Sequence, residues 1–361
     1  MSEFTSIESV AENLKSKFDY NNKNNLAILY AFNSTGKTRI STIIHNENEE
    51  EVLCYNAFTE DLFWWDNNNF VFKVNPNSWI VNFINEQGLE NDIIDNYKEL
   101  VNTKIEPNFE LEKGEIVFYN ATGDDDAETN IKISRAEESI FIWSIFYTIL
   151  TTAIENLNVN EDDRTTDYFN KLKYIIIDDP VSSIDDSKIV LMAVKLSEII
   201  NKYKEQKLNI LITTHHALFY NVLFNTYNKN YHSNYEFNAL VLMKNNKKYE
   251  LKKQKNDTPF GYHLTLIDEI KYDIRNNMLQ KYHFNLFRSL LEKTSNFLGY
   301  SNWAECVTGK NKQEFLRIVN LYSHSRLSDI EYKELMEDDK EIFIETFNTF
   351  IDEFKWGKRD E

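Results

Sequence analysis

Apolar positions in this chain follow two regimes. Up to residue 258, short apolar runs alternate with longer stretches of helical period, and beyond Pro259 only the helical period remains. Residues 26–30 (Leu-Ala-Ile-Leu-Tyr) and 174–177 (Tyr-Ile-Ile-Ile) are unbroken apolar runs, and 208–213 is nearly so; all three read as strands buried on both faces. Further strand-like runs fall at 51–55, 115–119 and 131–134, the last two joined by the acidic stretch 123–128. A capped helix is expected over 6–18, a second begins at Gly36, and long helices separate the later strands. This alternation is the order of an α/β nucleotide domain. Two alternating runs, 239–243 and 248–252, flank Asn245-Asn246 and predict a hairpin. Helices are expected at 262–276, 279–298, 312–327 and 338–354, so the chain divides into an α/β domain, 1–258, and a mainly helical domain, 259–361.

Composition narrows the classes. A chain of 361 residues with 42% hydrophobic side chains can bury a large core and exceeds the size of a typical single domain. Four prolines and eight glycines leave little room for long linkers. Cys54 and Cys306 are too few and too far apart for a disulfide framework or a CxxC metal site, which points to a reducing compartment. No apolar run approaches the ~20 residues of a membrane span, and Met-Ser-Glu-Phe-Thr lacks the regions of a signal peptide, so the chain reads as cytoplasmic, with no membrane partner. A formal charge of -18 argues against non-specific coating of nucleic acid. Any such site is local, and the hairpin supplies one candidate in Lys244, Lys247, Lys248, Lys252, Lys253 and Lys255, where a solvated sheet edge is the plainer account.

The run 26–30 leads into Ala31-Phe32-Asn33-Ser34-Thr35-Gly36-Lys37-Thr38, which fits the phosphate loop GxxxxGK[ST] except at Ala31. Backbone N–H groups of Asn33, Ser34, Thr35 and Gly36 would face phosphate, Lys37 would neutralise the β/γ charge, Arg39 follows, and the Thr38 hydroxyl would bind Mg2+. The strand 174–177 ends in Asp178-Asp179: the first carboxylate is placed for the metal and the second for orienting the attacking water. His215 closes the next strand, where a γ-phosphate sensor would sit. Together these look like an ABC-type ATPase, in which Ser134, Ala136 and Glu137 would occupy the signature that caps a partner's nucleotide, implying a homodimer or higher homo-oligomer. Thr38 and Ser134 lie 96 positions apart, too close for a long coiled-coil insertion, and Gln87 is the only glutamine between them, so no glutamine loop is evident. The run Tyr55-Asn56-Ala57-Phe58-Thr59-Glu60-Asp61-Leu62-Phe63-Trp64-Trp65-Asp66 stands in its place and reads most simply as a hydrophobic flap.

Tyr30-Ala31-Phe32-Asn33, the aromatic run, residues 133–147, Asp178-Asp179-Pro180-Val181-Ser182-Ser183, residues 215–225 and residues 282–300 resemble the PrrC-type anticodon nucleases of bacteria over nearly the whole chain. The resemblance implies a nucleotide-gated endoribonuclease that cuts tRNA, typically a lysine tRNA, beside the wobble base in phage defence. ATP or GTP with Mg2+ would serve the switch, and a type I restriction-modification complex is the implied silencing partner.

In the helical domain, Arg288 and Glu292 stand one turn apart on one helix face, the spacing of an ordinary surface ion pair. His324 lies 32 positions on. Arg, Glu and His are the set a metal-free ribonuclease needs, and the resemblance assigns Glu292 as base, His324 as acid and Arg288 as the phosphorane clamp. His283 points away from that face and reads as structural, while His263, near the junction, is harder to exclude. Lys252, Lys253 and Lys255 could hold anticodon-loop phosphates while Asp257 reads a base edge, although Lys255 stands where the family pattern has an acid. The alternative function is a defence or DNA-repair ATPase that recruits a separate nuclease.

Overall fold

The computed structural model describes residues 2–20, 23–47, 49–120, 130–181, 184–205, 207–228, 235–245, 248–254, 262–324 and 335–355. They fall into two compact units, Met1–Pro259 and Phe260–Glu361.

The first unit opens with β1 (Ser2–Phe4) and α1 (Ile7–Asp19), whose N-cap Ser6 accepts from the Ser9 N–H. Next come β2 (Asn24–Ala31), α2 (Lys37–Asn46), β3 (Val52–Tyr55) and the single turn α3 (Ala57–Glu60). A second layer follows: β4 (Phe63–Asp66), β5 (Val71–Val74), α4 (Trp79–Gln87), α5 (Glu90–Val101), β6 (Ile105–Glu110), β7 (Glu115–Asn120) and α6 (Arg135–Leu157). The chain then returns through β8 (Tyr174–Asp178), α7 (Asp186–Lys202), β9 (Asn209–Thr214), α8 (Ala217–Asn228) and the hairpin β10 (Tyr235–Asn245) and β11 (Lys248–Lys253).

The main sheet runs β1-β11-β10-β2-β9-β8-β3, parallel from β10 to β3 and antiparallel at the β11 and β1 edge. The unbroken apolar runs are its centre: every residue of β2, β8 and β9 is buried. Helices α1 and α2 cover one face through Val10, Leu14, Ile40 and Ile44 against Leu29, Ile176 and Leu211. On the other face α8 brings Tyr220 against Tyr30, ring centroids 5.8 Å apart. A separate antiparallel sheet, β4-β5-β7-β6, packs Phe72 and Phe118 against Phe141 of α6.

Three expectations change. Residues 131–134 form no strand; Ser134 is the N-cap of α6, and the reciprocal bonds Ser134 N–H to Glu137 Oε2 and Glu137 N–H to Ser134 Oγ close a capping box at 2.8 and 3.3 Å. Among the described residues one helix, α6, is long and apolar enough to cross a membrane; 83% of its apolar window is buried in this unit, as in a core helix. The aromatic run around Trp64 and Trp65 is a sheet strand, with Phe63 buried and Trp64 49% exposed.

The second unit comprises α9 (Tyr262–Arg275), α10 (Tyr282–Leu298), a 3-10 turn at Trp303–Cys306, α11 (Lys312–His324) and α12 (Glu337–Glu353). Its core is a phenylalanine stack. Phe287 of α10 meets Phe315 of α11 and Phe347 and Phe350 of α12 at 5.2, 5.2 and 5.3 Å between ring centroids.

Candidate functional site

The C-terminal ends of β2, β8 and β9 come together because Tyr30 is in register with Thr214 and Asp178 with Thr213. Ligands of open α/β sheets bind at this edge. Ala31 is a buried strand residue without a positive φ, so replacing the usual glycine costs no backbone strain. Ser34 and Gly36 do take positive φ, 63° and 113°, which tightens the loop at the start of α2, and the Thr35 N–H, expected to face phosphate, turns in to the Phe32 carbonyl at 3.3 Å. At φ 113° any side chain on Gly36 is strained, and a methyl group there would also press on the Ile7 side chain at 2.9 Å. Thr35 is buried, whereas Asn33, Ser34 and Thr38 are exposed. Arg39, 67% exposed, pairs outward with Glu8.

Lys37 is buried, and its Nζ donates to the carbonyls of Ala31 and Phe32 at 3.1 and 3.4 Å and to Asn33 Oδ1 at 3.3 Å. A single ammonium held by the loop's own oxygens is the group a phosphate would attract. Asp178, buried, accepts from the Thr213 hydroxyl and from Thr38. Burial pushes its carboxyl up against the pull of those hydroxyls. A hydroxyl beside a carboxylate under a phosphate loop fits the oxygen ligation of Mg2+, which would neutralise phosphate charge there.

Asp179 takes φ 55°, unusual outside glycine, and this turns its carboxylate back under the loop. Its Oδ1 and Oδ2 both lie 2.7 Å from His215 Nδ1, Oδ1 also accepts the His215 N–H at 3.1 Å, and Oδ2 sits 3.4 Å from Lys37 Nζ. Burial alone would raise this carboxyl, but the His215 hydrogen bonds and the Lys37 charge outweigh it and hold it below its ordinary range. Lys37, Asp179 and His215 thus form one connected set. Sequence reasoning missed Glu60, which accepts from the buried Tyr55 hydroxyl at 2.8 Å. Burial raises its carboxyl, the Tyr55 bond partly offsets this, and the charges of Asp61, Asp179 and Asp178 push it further. Its position in the acidic aromatic run, where the glutamine loop is lacking, was the available signal. Glu137 is committed to capping α6 beside Ser134, and Ala136 precedes it in the same first turn.

The second cluster stands on α10. Phe284, Phe287, Leu290 and Leu291 face the core, which leaves Arg288 and Glu292 on the helix flank with side chains 25% and 45% exposed. Arg288 Nε donates to Glu292 Oε1 at 2.8 Å. The guanidinium also lies under Trp303, 5.2 Å from the ring centroid, a contact that spacing could not reveal. His324 is the last residue of α11, and its side chain lies outside the described residues. Two residues earlier, Tyr322 bonds Asp339 of α12 at 2.7 Å and packs edge-on against Phe284 at 5.2 Å. The end of α11 therefore lies against α10 one turn before Arg288. His283 is fully buried, its Nε2 2.7 Å from Asp273 Oδ2, as a structural histidine should be.

The hairpin lysines are more constrained than their sequence indicated. Lys252 pairs with Glu250 at 3.3 Å, Lys248 with Glu3 at 3.4 Å, and Lys244 lies over the Tyr249 ring. Successive strand residues face opposite ways, so Lys252 and Lys253 cannot address one surface together; Lys253 donates to Asn238, and its charge reaches Lys17 of α1. Lys255, Asp257 and the His263 side chain lie outside the described residues.

No family model matches the sequence. Among solved structures, the Smc head bound to the C-winged helix domain of ScpA aligns with 64% of this chain and 90% of its own, at TM-score 0.36 and 8% identity. The Pyrococcus furiosus Smc head with an extended coiled coil aligns with 53% and 39%, at TM-score 0.30 and 9% identity. Superpositions this loose carry no weight for the architecture, which rests on the strand order and the phosphate loop. The curated anticodon nuclease of Escherichia coli is 39% identical over 333 residues, covering 84% of this chain and 82% of that protein. An identity of that extent, running through both units, makes this chain a member of the anticodon nuclease family.

Proposed function

We propose that the chain is a nucleotide-gated endoribonuclease that cuts the anticodon loop of a tRNA, a lysine tRNA by family habit, beside the wobble base. The observation that carries this reading is the Arg288–Glu292 contact on a partly exposed flank of α10, in a member of this family. Glu292 takes the 2'-OH proton; among the described residues its second carboxylate oxygen has no hydrogen bond. The freed O2' attacks phosphorus, the P–O5' bond breaks, and His324 protonates the leaving O5'. Arg288 holds the charge that builds on the phosphoryl oxygens. The products are a 2',3'-cyclic phosphate and a 5'-OH, and DNA, lacking the attacking hydroxyl, resists.

The first unit is an ABC-type switch. Asn33, Ser34, Thr35, Gly36, Lys37 and Arg39 receive ATP or GTP, Thr38 and Asp178 hold Mg2+, and Asp179 with His215 senses and orients at the γ-phosphate. Ser134, Ala136 and Glu137 face a second copy's nucleotide in a homodimer. Lys252, Lys253, Lys255 and Asp257 contact tRNA, one strand face at a time. A type I restriction-modification complex holds the toxin silent in the cytoplasm until phage interferes.

Mapping the ends of total cellular tRNA after brief expression tests this directly. Cyclic phosphate and 5'-OH ends at one anticodon, lost in His324→Ala with nucleotide binding intact, are expected. Unchanged biological activity in His324→Ala would instead favour an ATPase that recruits another nuclease.

A further inference from the structure

The turn after α10 is held more firmly than a simple connection requires. Gly299 ends the helix at φ 73°, and the Tyr300 N–H returns to the Ser295 carbonyl at 2.9 Å, so the chain reverses. Glu305 Oε1 accepts the N–H groups of Ser301 and Asn302 at 3.1 and 3.2 Å, and Asn302 Oδ1 accepts the Ala304 N–H at 2.9 Å. Cys306 and Val307 then sink into the core. These contacts fix the backbone of Trp303, whose indole comes back over the guanidinium of Arg288, 5.2 Å from its ring centroid.

Arg288 is thereby held on two sides. Its Nε edge is committed to Glu292 at 2.8 Å and its central carbon lies over the indole, while the two terminal nitrogens have no hydrogen bond among the described residues. Those nitrogens are the fork with which arginine grips phosphate oxygens. An i,i+4 ion pair on a partly exposed flank fixes a long side chain only weakly. A cation over an indole, the aromatic face most attractive to it, adds the missing constraint.

We propose that Trp303 is a positioning residue for RNA cleavage, its indole setting the plane in which the Arg288 fork meets the phosphodiester. The inference rests on the role given to Arg288 above. It assigns no contact between Trp303 and the reacting atoms, so its effect belongs in the chemical step and passes through Arg288.

Single-turnover cleavage of tRNA by the full chain would be compared for Trp303→Leu, Trp303→Phe and Arg288→Lys, with RNA affinity, Tm and the Arg288 Nε–H resonance measured on the same proteins. Trp303→Leu should slow cleavage by about 5-fold to 30-fold, the range for losing a partly to fully desolvated cation–π contact. RNA affinity should stay within about 2-fold, because uniform binding is not what is lost. Trp303→Phe should recover most of the rate, and the ring-current shift of the Nε–H should disappear in the leucine variant alone. Wild-type cleavage in Trp303→Leu beside an impaired Arg288→Lys overturns the positioning role and leaves the nuclease assignment standing. Equal losses in Trp303→Phe and Trp303→Leu that follow a lowered Tm reduce Trp303 to a packing residue and overturn it too. Full cleavage in Arg288→Lys overturns the assignment of Arg288 itself, and an Nε–H resonance indifferent to Trp303 shows that the stack does not form.

Discussion

Asp179 shows how one residue's backbone can set the chemistry of a site. Its positive φ folds the carboxylate onto Lys37 and His215, and its folded-state pKa lies below the ordinary value. A depressed carboxyl contributes stability above its unfolded pKa and loses it as pH falls through the folded one. Asp179→Asn should therefore flatten the acid limb of a stability profile measured below about pH 4, the range of an ordinary carboxylate. Nucleotide hydrolysis should drop by roughly 100-fold or more while nucleotide binding persists, as expected when a preorganised charge is removed from a transition state. Gly36 allows an equally local test. Alanine there faces both φ 113° and a Cβ position 2.9 Å from Ile7 Cδ1. Gly36→Ala should destabilise the fold by roughly 1–3 kcal/mol, the usual cost of an enforced left-handed residue, read as a lower urea midpoint at unchanged slope. Nucleotide affinity should fall with it, because the loop must leave φ 113° to relieve the strain.

The elements differ in how plainly the sequence announces them. Strands β2, β8 and β9 are legible because a strand buried on both faces has no polar positions to confuse its pattern, and α10 to α12 because Phe, Leu and Ile recur at helical spacing. The run 131–134 misled because Ser134-Arg135-Ala136-Glu137 is at once a strand-like tail and a capping box, and the box prevails once Glu137 reaches back to the Ser134 N–H. Helix α6 offers no polar stripe, so composition alone could not separate a core helix from a membrane span. In the second sheet, β4 and β5 flank an Asn-rich turn whose N–H groups bond Asp66, a short pairing that periodicity over a few residues cannot register. Lys37, Asp178 and His215 were legible as motif positions, whereas Glu60 carried only the signal of its place in the acidic aromatic run and gains a partner in Tyr55, and Trp303 gains meaning only from its contact with Arg288. The cap itself is testable: Ser134→Ala should cost about 1 kcal/mol through the lost N-cap, measured by denaturant unfolding. If Ser134 also faces a second copy's nucleotide, hydrolysis should fall far more than that small loss allows. Phe287→Ala, which empties the centre of the phenylalanine stack, should destabilise the helical unit by about 3–5 kcal/mol, seen as a separate early transition on heating.

At the scale of the whole molecule, the phosphate loop and the Arg288–Glu292 pair lie in different compact units, and neither shares a residue with the other. Coupling between them is a free-energy difference that ligand binding must bias, and two classes of variant separate the coupling from its ends. Arg288→Lys or Glu292→Gln should abolish tRNA cleavage if the proposed roles hold, since neither arginine's planar fork nor a carboxylate base would have a substitute at those positions. Nucleotide affinity and hydrolysis should match the parent protein. Lys37→Ala removes the buried ammonium proposed to meet phosphate, so nucleotide binding should be lost while the helical unit stays folded, monitored by its own thermal transition. Cleavage then decides the logic of the switch. If nucleotide is the licence to cut, Lys37→Ala is silent on tRNA at every nucleotide concentration. If nucleotide restrains the helical unit, the same variant cuts constitutively and is toxic on expression. Cleavage by Lys37→Ala that is equal to the parent's, with and without nucleotide, would mean that the two units are joined in sequence only.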